Sequence, residues 1–163
     1  MIITFLGHRS IYQCEALSNE LKNIIIEETK QSDHTLFYCG GYGDFDNLCA
    51  RVCRSIANQI PNCEIIYITP YLCTSKRKKE EFWYNSNIYD SVIYPPLESV
   101  PPKFAITKRN EWMVNQADLI IAFVNQSYGG AYKSLNYAKR KKKRIINLCD
   151  KEVIENSINS PKS

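Results

Sequence analysis

Residues 118–124 read DLIIAFV and form the clearest apolar run in this chain of 163 residues. A short apolar run bounded by turn residues is typical of a strand that is buried on both faces. Gly129-Gly130 follow closely, then a helical stretch as far as Lys142, and then a second apolar run over Arg144–Leu148. This strand, helix, strand order predicts a βαβ unit and therefore a parallel sheet.

The same alternation extends back to the start of the chain. Leu17, Leu21, Ile24 and Ile25 recur at three- and four-residue spacing, which predicts one apolar face on a helix. The pattern as a whole predicts strands over Ile2–Leu6, Thr35–Cys39, Glu64–Thr69 and Ser91–Tyr94, and helices over Tyr12–Lys30, from Asp44 or Asp46 to Ile60, and Lys108–Gln116. We expect an α/β fold with a mainly parallel central sheet, formed by a single domain over 1–150 and followed by a polar tail over 151–163. The segment 71–103, apart from the short strand over Ser91–Tyr94, is the least regular part of the chain.

Bulk composition excludes several classes of protein. A hydrophobic content of 44% is ordinary for a globular chain. The apolar stretch Met1–Leu6 is too short for a signal peptide or a membrane span, so we expect a cytoplasmic protein without a membrane partner. Seven cysteines without a secretory signal indicate reduced thiols. Cys49 and Cys53 lack the second ligand pair of a zinc site, so we expect no metal, and we expect no resident cofactor.

Basic residues are concentrated in two clusters, Lys76–Lys79 and Lys139–Arg144, which hold ten of the 21 lysines and arginines. Such clusters bind nucleic acid in some proteins. The alternative is a solvated helix end, where cations are favoured. For Lys139–Arg144 we favour the helix end, because this cluster closes a predicted helix and leads directly into a strand.

All six glycines lie in three turns that follow predicted strands. In a parallel sheet these turns share the carboxyl edge, where open α/β folds bind ligands. Glycine lets a ligand approach the backbone, and the helix that follows offers free N–H groups to a phosphate. A single glycine turn is common between a strand and a helix, but three such turns at one edge of the sheet predict a binding site. The turns are Gly7–Ser10, Gly40–Asp46 and Tyr128–Ser134.

None of the turns carries a Walker A or a dinucleotide fingerprint motif. Together they resemble the SLOG superfamily, which joins the DprA/Smf proteins to the lonely-guy phosphoribohydrolases, and within it the YpsA-like branch. The resemblance covers most of Met1 to Leu148 and implies a Rossmann-like three-layer sandwich that binds nucleotides or their derivatives. Relatives commonly associate, so a homo-oligomer is one alternative, and the oligomeric state stays open. The motifs that carry it are Gly7-His8-Arg9, the turn Gly40-Gly41-x-Gly43 ending in Asp46, the RNxWMV segment Arg109–Val114, Ala117–Ala122, and Gly129-Gly130 with Tyr137-Ala138-Lys139.

Two departures from the lonely-guy pattern concern catalysis. Asn47 stands where those enzymes carry the glutamate that serves glycosidic-bond cleavage. Ala131 replaces a threonine hydroxyl in the last glycine turn, and Tyr132, Lys133 or Ser134 are the residues that can compensate. We therefore treat an enzymatic activity as an open alternative, with Asp46 as the candidate catalytic carboxylate.

Several side chains in and near the turns are candidate ligand contacts. Arg9 and Arg109 suit bidentate pairing with a phosphate, although Arg109 equally suits a structural salt bridge. Asp46 suits ribose hydroxyls or a general base, and equally the N-cap of the second helix. His8 is either a ligand contact or a satisfied hydrogen-bonding residue. The complete predicted ligand set is Gly7, His8, Arg9, Gly40, Gly41, Tyr42, Gly43, Asp46, Arg109, Asn110, Gly129, Gly130, Tyr132, Lys133 and Ser134, with the tyrosines as stacking candidates and the backbone N–H groups of Gly41, Gly43, Gly129 and Gly130 as a phosphate cradle.

Three functions are compatible with these features. The first is binding of a nucleotide or nucleotide-derived signalling molecule, such as an ADP-ribose-like molecule or a cyclic nucleotide, by a sensor or sequestering protein. The second is an N-glycosidase or phosphoribohydrolase that acts on nucleotides. The third is single-stranded nucleic-acid binding of the DprA kind through the basic clusters. We rank them in that order, because Asn47 and Ala131 weaken the case for catalysis.

Overall fold

The computed structural model describes residues 1–12, 14–72 and 87–150. Its six strands form one sheet with the order β4-β3-β2-β1-β5-β6, and every neighbouring pair is parallel. The strands are β1 Ile2–Gly7, β2 Thr35–Cys39, β3 Cys63–Ile68, β4 Ser91–Ile93, β5 Leu119–Phe123 and β6 Arg144–Asn147. The helices are α1 Glu15–Thr29, α2 Asp44–Ala57, α3 Ala105–Gln116 and α4 Gly129–Arg140, with short 3-10 helices at Pro102–Phe104 and Leu148–Asp150.

Alternation along the strands divides the core into two layers. Leu119, Ile121 and Phe123 of β5 pack with α1 and α2 in one cluster. Ile120 and Ala122, between them in the chain, pack with α3 and α4 in another. A strand that buries both alternating faces requires helices on both sides of the sheet. The predicted Rossmann-like three-layer sandwich is confirmed, and the sheet is parallel throughout.

The order of the strands creates a switch point at the centre of the sheet. The chain adds β2, β3 and β4 on one side of β1, and α3 then returns it to the other side, where β5 pairs with β1 from Ile3 against Leu119 to Gly7 against Phe123. Crossovers that leave neighbouring strands in opposite directions open a crevice above their carboxyl ends. The turns after β1, β2 and β5 all reach this edge.

Part of the sequence interpretation falls outside the described residues. These parts are the basic cluster Lys76–Lys79 and the tail 151–163. Within the residues that the structure describes, no helix is both long and apolar enough to cross a membrane.

Candidate functional site

A cavity of about 430 Å³ lies above the carboxyl ends of β1 and β5, and we call it the crevice cavity. Its volume lies within the range of small-molecule sites. The wall includes eleven of the fifteen predicted ligand residues: Gly7, His8, Arg9, Gly40, Tyr42, Asp46, Arg109, Asn110, Gly129, Gly130 and Ser134. The other four lie elsewhere: Gly41 packs against the ring of Tyr67, Gly43 packs against the backbone of Arg9, and Tyr132 and Lys133 face a neighbouring cavity.

The N-terminus of α4 forms one wall of the crevice cavity. Its cap residue Tyr128 is extended and supplies no side-chain hydrogen bond to the first turn. Gly129 has a φ of +87°, a conformation that other residues rarely adopt. Apart from chain neighbours and the backbone of α4 itself, no atom lies within 4 Å of where a Cβ of Gly129 or Gly130 would stand. Uncapped N–H groups beside open space are well placed to donate to a phosphate.

Asp46 shapes the turn that follows β2. Its carboxylate accepts hydrogen bonds from the backbone N–H of Gly40 at 3.2 Å and of Tyr42 at 3.1 Å. Burial raises the pKa of Asp46 above its ordinary value, and Arg109 and the N–H groups of Tyr42, Gly40 and Gly41 oppose that rise.

The N-cap interpretation of Asp46 is wrong. Helix α2 begins at Asp44 with Gly43 as its cap residue, so Asp46 is the third residue of the helix. From this position its side chain reaches back over the glycine turn instead of capping the helix. The sequence does not reveal this because the bonds join residues four and six positions apart in a turn of irregular backbone.

Arg109 of α3 is 2% exposed and closes the bottom of the same turn. Its Nη1 donates to the carbonyl oxygens of Gly40 at 2.6 Å and Ile68 at 2.8 Å, so it joins the ends of β2 and β3. Burial lowers the pKa of Arg109, and Asp46 acts in the opposite direction. Its guanidinium carbon lies 5.4 Å from the ring centroid of Tyr42. Its Nε is buried without a hydrogen-bond partner, which leaves one donor of a cavity-lining cation unused.

His8 joins the turn after β1 to the turn after β5. Its Nε2 accepts from the backbone N–H groups of Asn125 at 3.2 Å and Gln126 at 3.3 Å. A nitrogen that accepts carries no proton, so this arrangement requires the neutral imidazole. Burial lowers the pKa of His8, in agreement with that requirement. His8 therefore has the satisfied, turn-positioning role that was one of its two interpretations, and it also lies on the cavity wall.

A second cavity of about 590 Å³ lies between α3 and α4, and we call it the groove cavity. Tyr132 and Lys133 line it. Asn110 and Ser134 line both cavities, and the amide nitrogen of Asn110 lies 3.4 Å from the Ser134 hydroxyl. The groove residues that the sequence analysis missed include Ile106, Glu111, Tyr128, Tyr137 and Arg140. Among these residues, only Tyr128 has a sequence feature that indicates a position at the site, since it directly precedes the glycine pair.

Two residues of the basic cluster Lys139–Arg144, Lys143 and Arg144, are bonded within the fold. Lys143 donates to the carbonyl oxygens of Asn115 at 2.8 Å and Ala117 at 2.9 Å, at the C-terminal end of α3. Arg144 makes two 2.6 Å bonds to the carboxylate of Glu28. The helix ends at Arg140, as the helix-end interpretation requires.

The cysteines near the site are buried thiols. Cys39, Cys49 and Cys53 are fully buried between β2 and α2, and burial contributes to raising the pKa of all three. A raised pKa keeps a thiol protonated and unreactive. Across the described ranges, no group of three or more His, Cys, Asp or Glu side chains is arranged to hold a metal ion.

Known proteins resemble this chain in sequence and in fold. No family model matches the chain. It is 25% identical over 138 residues to an uncharacterised SPbeta prophage-derived protein, YoqJ of Bacillus subtilis (strain 168), covering 76% of this chain and 81% of the relative.

Three solved structures superpose on the chain. DNA processing protein A from Helicobacter pylori, described with a single-stranded DNA binding mode, has a TM-score of 0.58 at 15% identity over 98% of this chain and 74% of its own. TM1055 has a TM-score of 0.55 at 11% identity, and the match covers 88% of this chain and 71% of TM1055. The molybdenum cofactor carrier protein of Chlamydomonas reinhardtii has a TM-score of 0.54 at 15% identity, and the match covers 97% of this chain and 84% of the carrier protein. These likenesses show a Rossmann-like fold. Membership of the SLOG superfamily and of its YpsA-like branch stays a prediction.

Proposed function

We propose that the chain binds a nucleotide or nucleotide-derived signalling molecule in the crevice cavity, as a sensor or sequestering protein. The observation that carries the proposal is the meeting of the uncapped α4 N-terminus with a buried cation, Arg109, across one cavity at the switch point. Both groups favour an anion, because the helix start carries a positive partial charge and the guanidinium a full one. Phosphate is the anion that such helix starts most often bind.

The remaining wall supplies contacts for the rest of a nucleotide. Arg9 is exposed on the cavity wall, where its planar fork suits a phosphate. Tyr42 is 40% exposed, and its ring lies against the guanidinium of Arg109, so its free surface suits stacking with a base. Asn110 and Ser134 offer an amide and a hydroxyl to ribose or base.

Isothermal titration calorimetry tests this proposal. The ligands are the four ribonucleoside 5′-monophosphates, ADP-ribose and cyclic AMP. We expect at least one to bind, and Arg9→Ala to weaken that binding about tenfold, because a charge-assisted bond to phosphate is lost. The matched control is Lys139→Ala, which removes one exposed cation from the far end of α4 and should leave the affinity unchanged. Absence of binding by the whole panel would contradict the proposal.

Catalysis by Asp46 is the alternative, and one observation favours it: this carboxyl lines the cavity with a raised pKa. A general acid or base requires such a shift toward neutral pH. Against it, the hydrogen bonds from Gly40 and Tyr42 occupy both carboxylate oxygens. Release of free base from nucleoside monophosphates or NAD, abolished in Asp46→Asn, would establish an N-glycosidase. Because Asn47 stands in place of a carboxylate, we expect no release.

A further inference from the structure

The groove cavity and the crevice cavity share a wall. Both are lined by Gly129 and Gly130, where we place the phosphate, and by Asn110 and Ser134 beside them. Ile106 and Tyr128 belong to both walls as well. A phosphate at the α4 N-terminus therefore lies where the two cavities meet, and a ligand in the crevice cavity has a direct continuation into the groove.

The groove runs along one face of α4. Gly130, Lys133, Tyr137 and Arg140 follow each other at three- and four-residue spacing and all line it. At 1.5 Å per residue this face is about 15 Å long, which is enough for a nucleoside beyond the phosphate. Ile106, Thr107, Asn110 and Glu111 of α3 form the opposite side.

The side chains of the groove suit an aromatic ring with hydrogen-bond acceptors. Tyr132 and Tyr137 line it together with Tyr128, and the hydroxyl of Tyr137 donates to Asn115 at 3.1 Å, which fixes its ring. The guanidinium of Arg140 lies 5.8 Å from the centroid of that ring, in stacking range for a planar cation.

Charge in the groove has a positive balance. Lys133 and Arg140 are the cations of its wall, and its carboxylate, that of Glu111, is paired with Lys108 at 2.7 Å. A base that is stacked on tyrosine rings and bonded through its carbonyl or ring nitrogens to arginine fits this combination.

We propose that the groove cavity is a second subsite of the same pocket and that the ligand is a dinucleotide. One nucleoside occupies the crevice cavity, the linking phosphates lie at the α4 N-terminus, and the second base lies in the groove. This inference rests on the proposed function, since it takes the phosphate position from it. It also accounts for Tyr132 and Lys133, which the crevice cavity does not use.

The test compares each ribonucleoside 5′-monophosphate with the symmetrical dinucleoside diphosphate of the same base by calorimetry. We expect the dinucleotide to bind about tenfold more tightly, since stacking of one additional base on tyrosine has that size. In Arg140→Ala we expect the ratio of the two dissociation constants to fall to about two. Lys139→Ala is the control, because Lys139 is the exposed neighbour of Arg140 and lies on neither cavity wall.

The results separate the two proposals. Equal affinities for monophosphate and dinucleotide, with Arg9→Ala still harmful, would overturn the second subsite alone. No binding of either ligand would overturn the second subsite, and failure of ADP-ribose and cyclic AMP as well would overturn both proposals. Light scattering after gel filtration adds a further check: a dimer that Arg140→Ala dissociates would mean that a second copy of the chain covers the groove, and would overturn the subsite.

Discussion

Gly40 lies between the guanidinium of Arg109 and the carboxylate of Asp46. A Cβ at this position would stand 2.4 Å from Nη1 of Arg109 and 2.8 Å from Oδ2 of Asp46. Both neighbours are held by bonds to the backbone, so neither can withdraw without breaking them. The glycine is thus required by the close approach of two charged groups.

We expect Gly40→Ala to lower the free energy of unfolding by about 1–3 kcal/mol, because the added methyl overpacks a buried cluster. Urea denaturation followed by circular dichroism measures the change. Gly130→Ala is the matched control: its Cβ meets open space, and alanine favours the helix, so its stability should equal or exceed that of the wild type. Equal stability of both variants would show that the Gly40 turn relaxes freely.

His8 gives the stability a pH dependence of known sign. Burial lowers its pKa in the folded protein below the ordinary value of 6.5, so the unfolded chain binds the proton more readily. The stabilisation from neutral His8 is complete above the unfolded pKa and is lost as the pH falls through the folded pKa. We expect the free energy of unfolding to decline below about pH 6.5, and more steeply in the wild type than in His8→Gln. Parallel pH profiles for the two proteins would contradict the role of His8.

At the scale of elements, Lys143, the cation that directly precedes β6, stabilises the C-terminal end of α3. Lys143 donates to two backbone carbonyls there, which complements the negative end of the helix dipole. Lys143→Ala should therefore lower the free energy of unfolding by about 1–2 kcal/mol. Lys139→Ala, an exposed change in the same cluster, should alter it by less than about 0.5 kcal/mol. Urea denaturation of the two variants side by side decides whether this cluster is structural.

The strands were the most predictable elements. Apolar runs between turn residues located all six within one residue at each end, since an apolar run bounded by turn residues is a local signal. Helix starts were less predictable. Helix α1 begins at Glu15 and not at Tyr12, and Cys14 caps it by accepting from the N–H of Leu17 at 3.4 Å. Helix α3 begins at Ala105 and not at Lys108, because a 3-10 turn at Pro102–Phe104 starts it.

The glycine turns predict residues that the structure places on one cavity wall, but the hydrogen bonds within that wall could not be predicted from the sequence. A glycine after a strand has a local meaning, so Gly7, Gly40 and Gly129 pointed to the cavity edge. The partners of Arg109 lie 41 and 69 residues away, and no local pattern encodes bonds of that range. The groove cavity depends on how α3 packs beside α4, which is again a long-range property.

At the scale of the whole molecule, the net charge of +4 is compatible with nucleotide or nucleic-acid binding. The two modes differ in how many phosphates the protein neutralises. A nucleotide in the crevice cavity brings its charge to one helix start and to Arg9 and Arg109. A single strand would lie along surface cations, and of those described in the second basic cluster, Lys143 and Arg144 are bonded within the fold.

Salt dependence therefore separates the modes. Each phosphate contact to a single strand contributes a slope of about 0.7 to the plot of log affinity against log salt. By calorimetry between 50 and 200 mM salt, we expect the best-binding nucleotide to show a slope of about one or less. At 200 mM salt, we expect an oligothymidylate of twenty nucleotides to bind more weakly than that nucleotide. Neutralising Lys139, Lys141 and Lys142 together is the control, and it should leave nucleotide affinity unchanged because none of them lines the crevice cavity. The opposite result is tighter binding of the oligonucleotide, with a steep salt slope that becomes shallower in the triple variant. That result would mean that the basic surface is the binding site and that single-stranded nucleic acid is the partner.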